Sequence, residues 1–471
     1  MADNNLGKFP YDDMSRGRIN DYGYYSKLFL GHHFKAFNIR IDDEHYNKAY
    51  SKLRYVMVNF AGLISKICAD MLFGEPISIK VPGGDQDFID ALVRENKLDT
   101  QFYESALSNS AKGDALFKLR VGKRESKDDG STVIIEDITP TIYFPEINGF
   151  NVREIPNKQK IAWTFKQSNQ EYLREEIHTP GLIENKIYKM KGEIIEAEMN
   201  CNMLDLVESQ LTGIDTHLLV HVPNWKTGDR FFGLSDYHDL DSIFYAINNR
   251  MTKTDNILDK HSDPILMVPK GVIDEKGNVN KKSLGVIEVA DGETGKPEYI
   301  VWDASLENAF KEVEKLVDFM MMIGEISPDA LGMGQGMSDS GRAIKYKLMR
   351  TIAKVSRKKL YYDAAIKELI YKAQLLAKAH SLKVGDATLK GEPVHPEIEW
   401  QDGLPIDISE QIENEQKALD GGLTTKKAAI MRVYQVDEAS AERILEERKA
   451  DNPIPEIKQN MADNPFRIDD K

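Results

Sequence analysis

The chain has 471 residues, of which 41% are apolar and 29% charged, enough for two to four structural units with sizeable cores and a globular rather than disordered balance. Its formal charge of −14 argues against a dedicated sequence-specific DNA binder, which carries a basic patch or domain. It does not argue against a protein that handles DNA without gripping it.

Two cysteines, Cys68 and Cys201, exclude a disulfide framework or a cysteine-rich zinc site and fit a reducing compartment. The opening MADNNLGKFPYDD has no basic stretch leading into an apolar one, so no signal peptide is expected. The most apolar helix-like run, Tyr55 to Phe73, is interrupted by Asn59, Ser65, Lys66 and Asp70. No window holds the roughly 18 consecutive apolar residues that a membrane span needs, and no membrane partner is expected.

Residues 1–43 are polar and aromatic and read as an arm that needs a neighbour to order it. From Asp43 to Phe73 the spacing of Leu53, Val56, Phe60, Leu63, Ile67 and Met71 is helical, and Gly74 and Pro76 stop that helix. Ile77 to Val81 alternates as a strand before a Pro82-Gly-Gly-Asp turn. Residues 86–118 read as helical, and 115–225 as a β-rich block with strands at 115–121, 132–135, 160–166, 186–190 and 218–222.

Between Gly233 and Pro264 there is no Gly or Pro, and Ser235 and Asp236 stand as an N-cap pair. Leu240, Ile243, Phe244, Ile247, Met251, Ile257 and Leu258 support one long helix there. Short strands follow at 264–268 and 286–289, and helical spacing returns over 305–323, giving a helix pair with a small β module at its tip. A Gly-rich loop over 326–341 leads into 43 residues, Arg342 to Val384, without Gly or Pro. Ile344, Leu348, Ile352, Val355, Tyr362, Ile366, Leu369, Ala373 and Leu376 trace one apolar face of that segment. As a helix it would reach about 60 Å, far beyond the usual three or four turns. A strand over 396–400, a turn at 403–405 and short acidic helices at 408–419, 424–434 and 437–449 complete the pattern, and the polar tail from Asp451 reads as disordered.

The chemistry of an enzyme is hard to find in this pattern. Asp291-Gly-Glu-Thr-Gly-Lys-Pro297 lacks the four-residue gap and the Ser/Thr of a phosphate loop, and Pro297 would break the helix start that binds phosphate. A turn is the better reading. Gly332-Met-Gly-Gln-Gly336 follows a helix rather than a strand, so the dinucleotide fingerprint fails on context. His217 and His221 are four apart in a region that reads as strand, where residues so spaced stand about 13 Å apart, too far to share one metal ion. No GxSxG elbow occurs. The expectation is a non-enzyme with no cofactor and no metal.

Four stretches together resemble the portal family of long-tailed bacteriophages. Ile67-Cys-Ala-Asp-Met-Leu-Phe-Gly-Glu-Pro-Ile77 is similar to that family's early helix and aromatic-Gly-x-Pro stop, and the helix–insert–helix at 235–323 to its stem helices and clip. Ser338-Asp-Ser-Gly-Arg-Ala-Ile344 is similar to its tunnel loop and spine helix, and Trp400-Gln-Asp-Gly-Leu-Pro405 with Gly422-Leu-Thr-Thr425 to its crown. Their order and spacing over residues 45 to 450 are more specific than any one of them.

The resemblance implies an α+β, mainly helical fold. Its parts would be an N-terminal arm (1–43), a wing (44–233), stem helices (234–263 and 304–327) and a clip (264–303). A tunnel loop (328–341), a spine helix with a wing return strand (342–405), a crown (406–450) and a disordered tail (451–471) would follow. It also implies a homo-oligomeric ring, usually of twelve subunits, at one capsid vertex of the virion, assembled in the host cytoplasm. Double-stranded DNA would pass through it without specific binding. The large terminase subunit, head-completion or adaptor proteins, and the major capsid and scaffolding proteins would be its partners. A non-ring scaffold or adaptor is the other reading.

Within that resemblance, Gly332, Met333, Gly334, Gln335, Gly336, Met337, Ser338, Asp339, Ser340 and Gly341 would form the loop that touches DNA. Asp236, Asp239, Glu307, Glu312 and Glu314 would contribute to a negative channel wall. Arg342, Lys345, Arg350, Arg357 and Lys358, on a helix that also carries Lys347, Lys354 and Lys359, would pair with a neighbouring subunit or sit near packaged DNA, the first being preferred.

Overall fold

The computed structural model describes residues 6–38, 55–123, 130–262, 265–269, 286–289, 298–300, 306–333, 341–401, 408–434, 436 and 438–451. The fold is α+β and mainly helical. Contacts divide it into one unit of residues 1–337 with 346–403 and a second of residues 338–345 with 404–471.

In the first unit, helix α1 (Asp13–Phe29) and the turn α2 (His33–Ala36) precede α3 (Phe60–Phe73). The Asp12 carboxylate accepts from the Ser15 amide at 2.6 Å to cap α1. Over residues 6–38 the arm is thus held by its own chain, where a neighbour was expected to order it. Arg18 donates to the carbonyls of Pro140 and Tyr143, at 3.0 and 2.6 Å, and Tyr22 is bonded to the buried Asp114. Phe9, Tyr11 and Ile19 pack on the core cluster of Phe144, Ala162, Leu173, Met190 and Ile195. An aromatic-rich segment reads as unpartnered only while the apolar face it covers, more than a hundred residues away, is unknown.

Helix α3 begins at Phe60, with Asn59 accepting from the Gly62 amide at 2.9 Å. Residues 55–59 are not helical, and the start expected at Asp43 lies outside the described residues. Strand β1 (Ser78–Lys80) follows. The helical stretch expected over 86–118 is two helices, α4 (Gln86–Asn96) and α5 (Leu98–Lys112), broken at Lys97, which takes the left-handed conformation (φ 51°).

The β-rich block comprises β2 (Asp114–Gly122), β3 (Thr132–Ile138), β4 (Tyr143–Pro145), β5 (Gln159–Gln167), β6 (Gln170–Thr179), β7 (Leu182–Lys191), β8 (Ile194–Met199), β9 (Ser209–Leu211) and β10 (Leu219–Pro223). One antiparallel sheet runs β10-β2-β3. A larger one runs β4-β5-β6-β7-β8 with β9 also on β7, and its tight hairpins place Thr164 opposite Leu173 and Ile187 opposite Arg174.

Helix α6 (Asp241–Ser262) and helix α7 (Leu306–Gly324) form the pair expected from periodicity, tied by Arg250 donating to Glu312 at 2.8 Å. Between them β11 (Ile265–Pro269) lies parallel to β12 (Val286–Val289) and antiparallel to β13 (Glu298–Ile300). The Asp291–Pro297 segment lies outside the described residues.

Helix α8 (Gly341–Ala379) has 39 residues, a length of about 58 Å at 1.5 Å per residue. It stops before the expected Val384, at a turn where Ser381 is left-handed (φ 51°), and β14 (Lys383–Val384) and β15 (Ala387–Thr388) form a small hairpin after it. Val355, Tyr362, Ile366, Leu369, Ala373 and Leu376 are buried as the apolar face requires, whereas Ile344 is exposed. Strand β16 (Glu397–Glu399) returns antiparallel to β1, pairing Ile398 with Ile79. There Phe73 packs on Phe102, Tyr362 and Trp400 with ring centroids 5.0–5.6 Å apart, and Trp400 donates to Asp363 at 3.1 Å.

In the second unit, α9 (Ile408–Asp420), α10 (Lys426–Tyr434) and α11 (Glu438–Asp451) match the three short helices expected. Arg432 holds Glu415 through two bonds of 2.6 and 2.7 Å, and Lys427 bridges Glu438 and Glu442 on α11.

If the arm belongs to the core, Leu28→Ala should lower unfolding stability by about 2–5 kcal/mol, since it removes a fully buried side chain. Chemical denaturation would measure it, and an unchanged midpoint would show α1 to be a passenger.

Candidate functional site

The base of the helix pair is built around one buried carboxylate. Asp236 does not open a helix. Residues 236–240 form a turn and α6 starts at Asp241. The Ser235 hydroxyl caps that turn, accepting from the Tyr237 amide at 3.0 Å and donating to the Ala111 carbonyl at 2.6 Å. This holds the Asp236 side chain inward, 1% exposed, between Lys354 and Lys358, which are 9% and 3% exposed.

Lys358 Nζ lies 2.7 Å from Oδ2 and Lys354 Nζ 3.3 Å from Oδ1. Ser110 donates to Oδ2 at 2.6 Å and the Asn224 amide to Oδ1 at 3.1 Å. The lysines reach further. Lys354 donates to the Gly324 carbonyl at 2.8 Å, and Lys358 to the Asn224 side chain. Burial alone would raise the Asp236 carboxyl, but the two ammonium groups and the hydrogen bonds outweigh it and hold the group well below the usual carboxylate range. Burial likewise opposes the charge on Lys354, yet Asp236 raises it above the ordinary lysine value.

Two glycines make the approach of these elements possible. Gly113 is left-handed (φ 97°), and a Cβ on Gly233 would stand 2.1 Å from the Gly113 carbonyl oxygen. The Gly113 carbonyl accepts from the Asn224 amide at 2.7 Å, which brings the end of β10 beside the 233–236 turn.

The structure therefore corrects the sequence reading at several residues. Asp236 is a buried, paired carboxylate and not part of an exposed wall. Lys358 is spent on it within the chain. Arg357 and Arg350 both pair with Glu325, the latter at 3.6 Å, and Lys347 lies 3.6 Å from Asp329. Much of the basic character that suggested an intersubunit role thus meets carboxylates between 325 and 329 of the same chain. Lys345 is exposed, and the Arg342 side chain lies outside the described residues.

Of the other acidic candidates, Asp239 and Glu314 are exposed. Glu307 pairs with Lys311 at 2.6 Å on the same helix, and Glu312 with Arg250 across the pair. The Gly-rich loop opens with a 3-10 turn (Pro328–Leu331) capped by Ser327 and closed by Gly332 (φ 71°), followed by the exposed Met333. Gly334, Gln335, Gly336, Met337, Ser338, Asp339 and Ser340 lie outside the described residues, and Gly341 begins α8.

Two further buried polar centres escaped the sequence reading. Asp114 accepts from Tyr22 and from the Gly233 amide (2.9 Å), and is bonded to His221 at 2.6 Å. His221 is thus a satisfied strand residue rather than half of a metal pair. Glu176 lies 2.6 Å from Lys118 and 2.8 Å from His178. Burial would raise Glu176, but His178 and Lys118 hold it down to about 2, while burial lowers His178. No group of three or more His, Cys, Asp or Glu side chains among the described residues is arranged to hold a metal ion.

Replacing Asp236 with Asn leaves two buried ammonium groups without their anion, and should cost about 3–5 kcal/mol of stability, read by chemical denaturation. A cost below 1 kcal/mol would contradict this account. The pH dependence has a definite sign. Asp236 and Glu176 stabilise the fold fully above the ordinary carboxylate values of 3.8 and 4.5, and lose that contribution as pH falls towards their depressed folded values. His178, held neutral, loses stability below its ordinary 6.5. Burial pushes the Asp137 carboxyl the other way, up to about 7, so its contribution grows as pH falls from 7 and opposes that of His178; the thermal midpoint should therefore fall steeply only below about pH 4.5, where Asp236 and Glu176 lose their contribution.

A family model described as phage portal protein, SPP1 Gp6-like, matches residues 15–453. No curated protein matches the chain. Among solved structures, a chain from the neck of an empty GTA particle is similar at 10% identity over 79% of this chain and 90% of that one, with a TM-score of 0.42.

Proposed function

The chain belongs to the SPP1 Gp6-like family of phage portal proteins, and from that premise we propose that twelve copies close into a ring at one capsid vertex, the channel for double-stranded DNA. The observation that carries this reading is the reach of the family match, residues 15–453, which supports a portal reading of the chain from the proposed wing to the proposed crown. The ring admits DNA during packaging, when the large terminase subunit docks on the clip (264–303), and releases it after head-completion or tail proteins have replaced the motor. The wing meets the major capsid and scaffolding proteins, and assembly takes place in the host cytoplasm.

A translocating duplex must be guided without being held, because each firm phosphate contact releases counterions and adds affinity. Twelve copies at −14 each carry about −168 formal charges, a field that opposes static adhesion. Asp239, Glu307, Glu312 and Glu314 contribute to the acidic channel wall formed by the stem. Asp236 instead fixes the base of the stem from within. The segment 332–341 supplies the contact with DNA: its glycines give backbone freedom, and Met333, Gln335 and Met337 offer soft, uncharged surface.

Negative-stain imaging or mass photometry of the purified chain should show rings with a central hole. A chain that stays monomeric at every concentration would remove the channel reading and leave a scaffold or adaptor. Stiffening the loop with Gly334→Pro and Gly336→Pro should leave rings intact and reduce packaged genomes per particle, and undiminished packaging would take the loop out of the channel.

A further inference from the structure

Where β6 of the larger sheet meets α8, two imidazoles are shut away from water with one ring nitrogen unused on each. His178 is 1% exposed, and its Nε2 lies 2.8 Å from Glu176. The buried His217, on the segment entering β10, meets the backbone of His178. The Nδ1 atoms of both rings are buried without a hydrogen-bond partner among the described residues. Native folds leave few buried polar atoms unpaired, so two in one joint call for an explanation.

The surroundings disfavour a positive charge on either ring. Lys118 on β2 lies 2.6 Å from Glu176, and Arg174 on β6 lies 3.7 Å from the same carboxylate. On α8, Lys372 pairs with Glu368 at 2.6 Å and reaches the Leu219 carbonyl at 3.4 Å. Strands β5 and β7 place only Gln159, itself bonded to the Tyr143 hydroxyl, and Ile183 opposite His178. Asp215 is exposed, and His380, just past α8, bonds the Thr212 carbonyl at 2.8 Å. The two rings thus sit among Lys118, Arg174 and Lys372 with only Glu176 and Glu368 to balance them. Burial pulls both imidazoles below their ordinary value, and Lys372 does so again at each, against the upward pull of Glu176 on His178 and of Glu368 on His217.

We infer that this joint is a proton-sensitive latch: with His178 and His217 neutral it holds β6 and the segment entering β10 on α8, and proton uptake by the two rings in mild acid releases that hold. A proton on either Nδ1 creates a buried N–H without an acceptor. It also sets an imidazolium against Lys118 or Lys372 where little water screens them. Because the folded rings bind fewer protons than the unfolded ones, the hold is complete above the ordinary histidine value of 6.5 and is lost as pH falls below it. Glu176, held down to about 2, stays charged throughout that window. The joint lies within one chain, so the latch is independent of the ring reading.

Hydrogen exchange of the full-length chain, read by mass spectrometry and corrected for the intrinsic effect of pH, follows the latch segment by segment. Between about pH 7 and about pH 5.5, β6, residues 214–220 and residues 366–376 should together lose about tenfold or more of their protection. Strand β3, where Asp137 titrates in the opposite sense, should not. The double variant His178→Gln with His217→Gln has no proton to take up there and should keep the same protection at both pH values. Unchanged protection in the wild-type chain, a loss spread evenly over β3 as well, or the same loss in the double variant would overturn the latch. Lys372→Met keeps the test open if the double variant fails to fold. Removing that ammonium eases protonation of both folded rings, so the ratio of exchange between the two pH values should shrink. A residue that merely supports the packing would raise exchange alike at both, and an unchanged ratio would count against the proposal.

Discussion

The geometry of the chain depends on keeping one ionised carboxylate out of water. Moving a carboxylate and two ammonium groups into the interior costs several kcal/mol per ion, and only nearly complete coordination offsets that. Asp236 obtains it from four side chains on three different segments: Lys354 and Lys358 on α8, Ser110 on α5, and Asn224 after β10. An apolar cluster would hold these segments together as well, but would tolerate sliding. Charged hydrogen bonds have preferred direction and length, so the node sets the position of the 233–236 turn against α8 as well as its proximity.

Position then propagates along α8. Past the node, Tyr362 enters the aromatic cluster with Phe73 and Trp400. Lys372 reaches the Leu219 carbonyl at the start of β10, and Gln374 bonds Val394 through both its carbonyl and its amide. One uninterrupted helix thus touches the turn before α6, the small sheet and the return segment in turn. With no proline or internal glycine to hinge it, the helix would carry a displacement at the base of the α6–α7 pair towards β10 rather than absorb it. In the proposed channel, which would have to stay aligned while DNA is driven through it, that rigidity would be the useful property.

Periodicity made the helices and the helix–insert–helix pattern legible, because an apolar face repeats locally. The three short helices after residue 408 and the strand at 397–399 were legible for the same reason. The node was not. Ser235-Asp236 after a glycine has the form of a solvent-exposed helix start, and nothing local says that the acid turns inward. A signal did exist in α8. Lys354 and Lys358 fall between Thr351, Val355 and Tyr362, on the buried stripe rather than opposite it. Lysines at apolar-face positions announce a buried anion without naming it. The arm misled for a related reason: the surface that orders Phe9, Tyr11 and Ile19 is assembled from strands far along the chain. Gly113 and Gly233 show the same limit, since the close approach that requires both is invisible from either one alone.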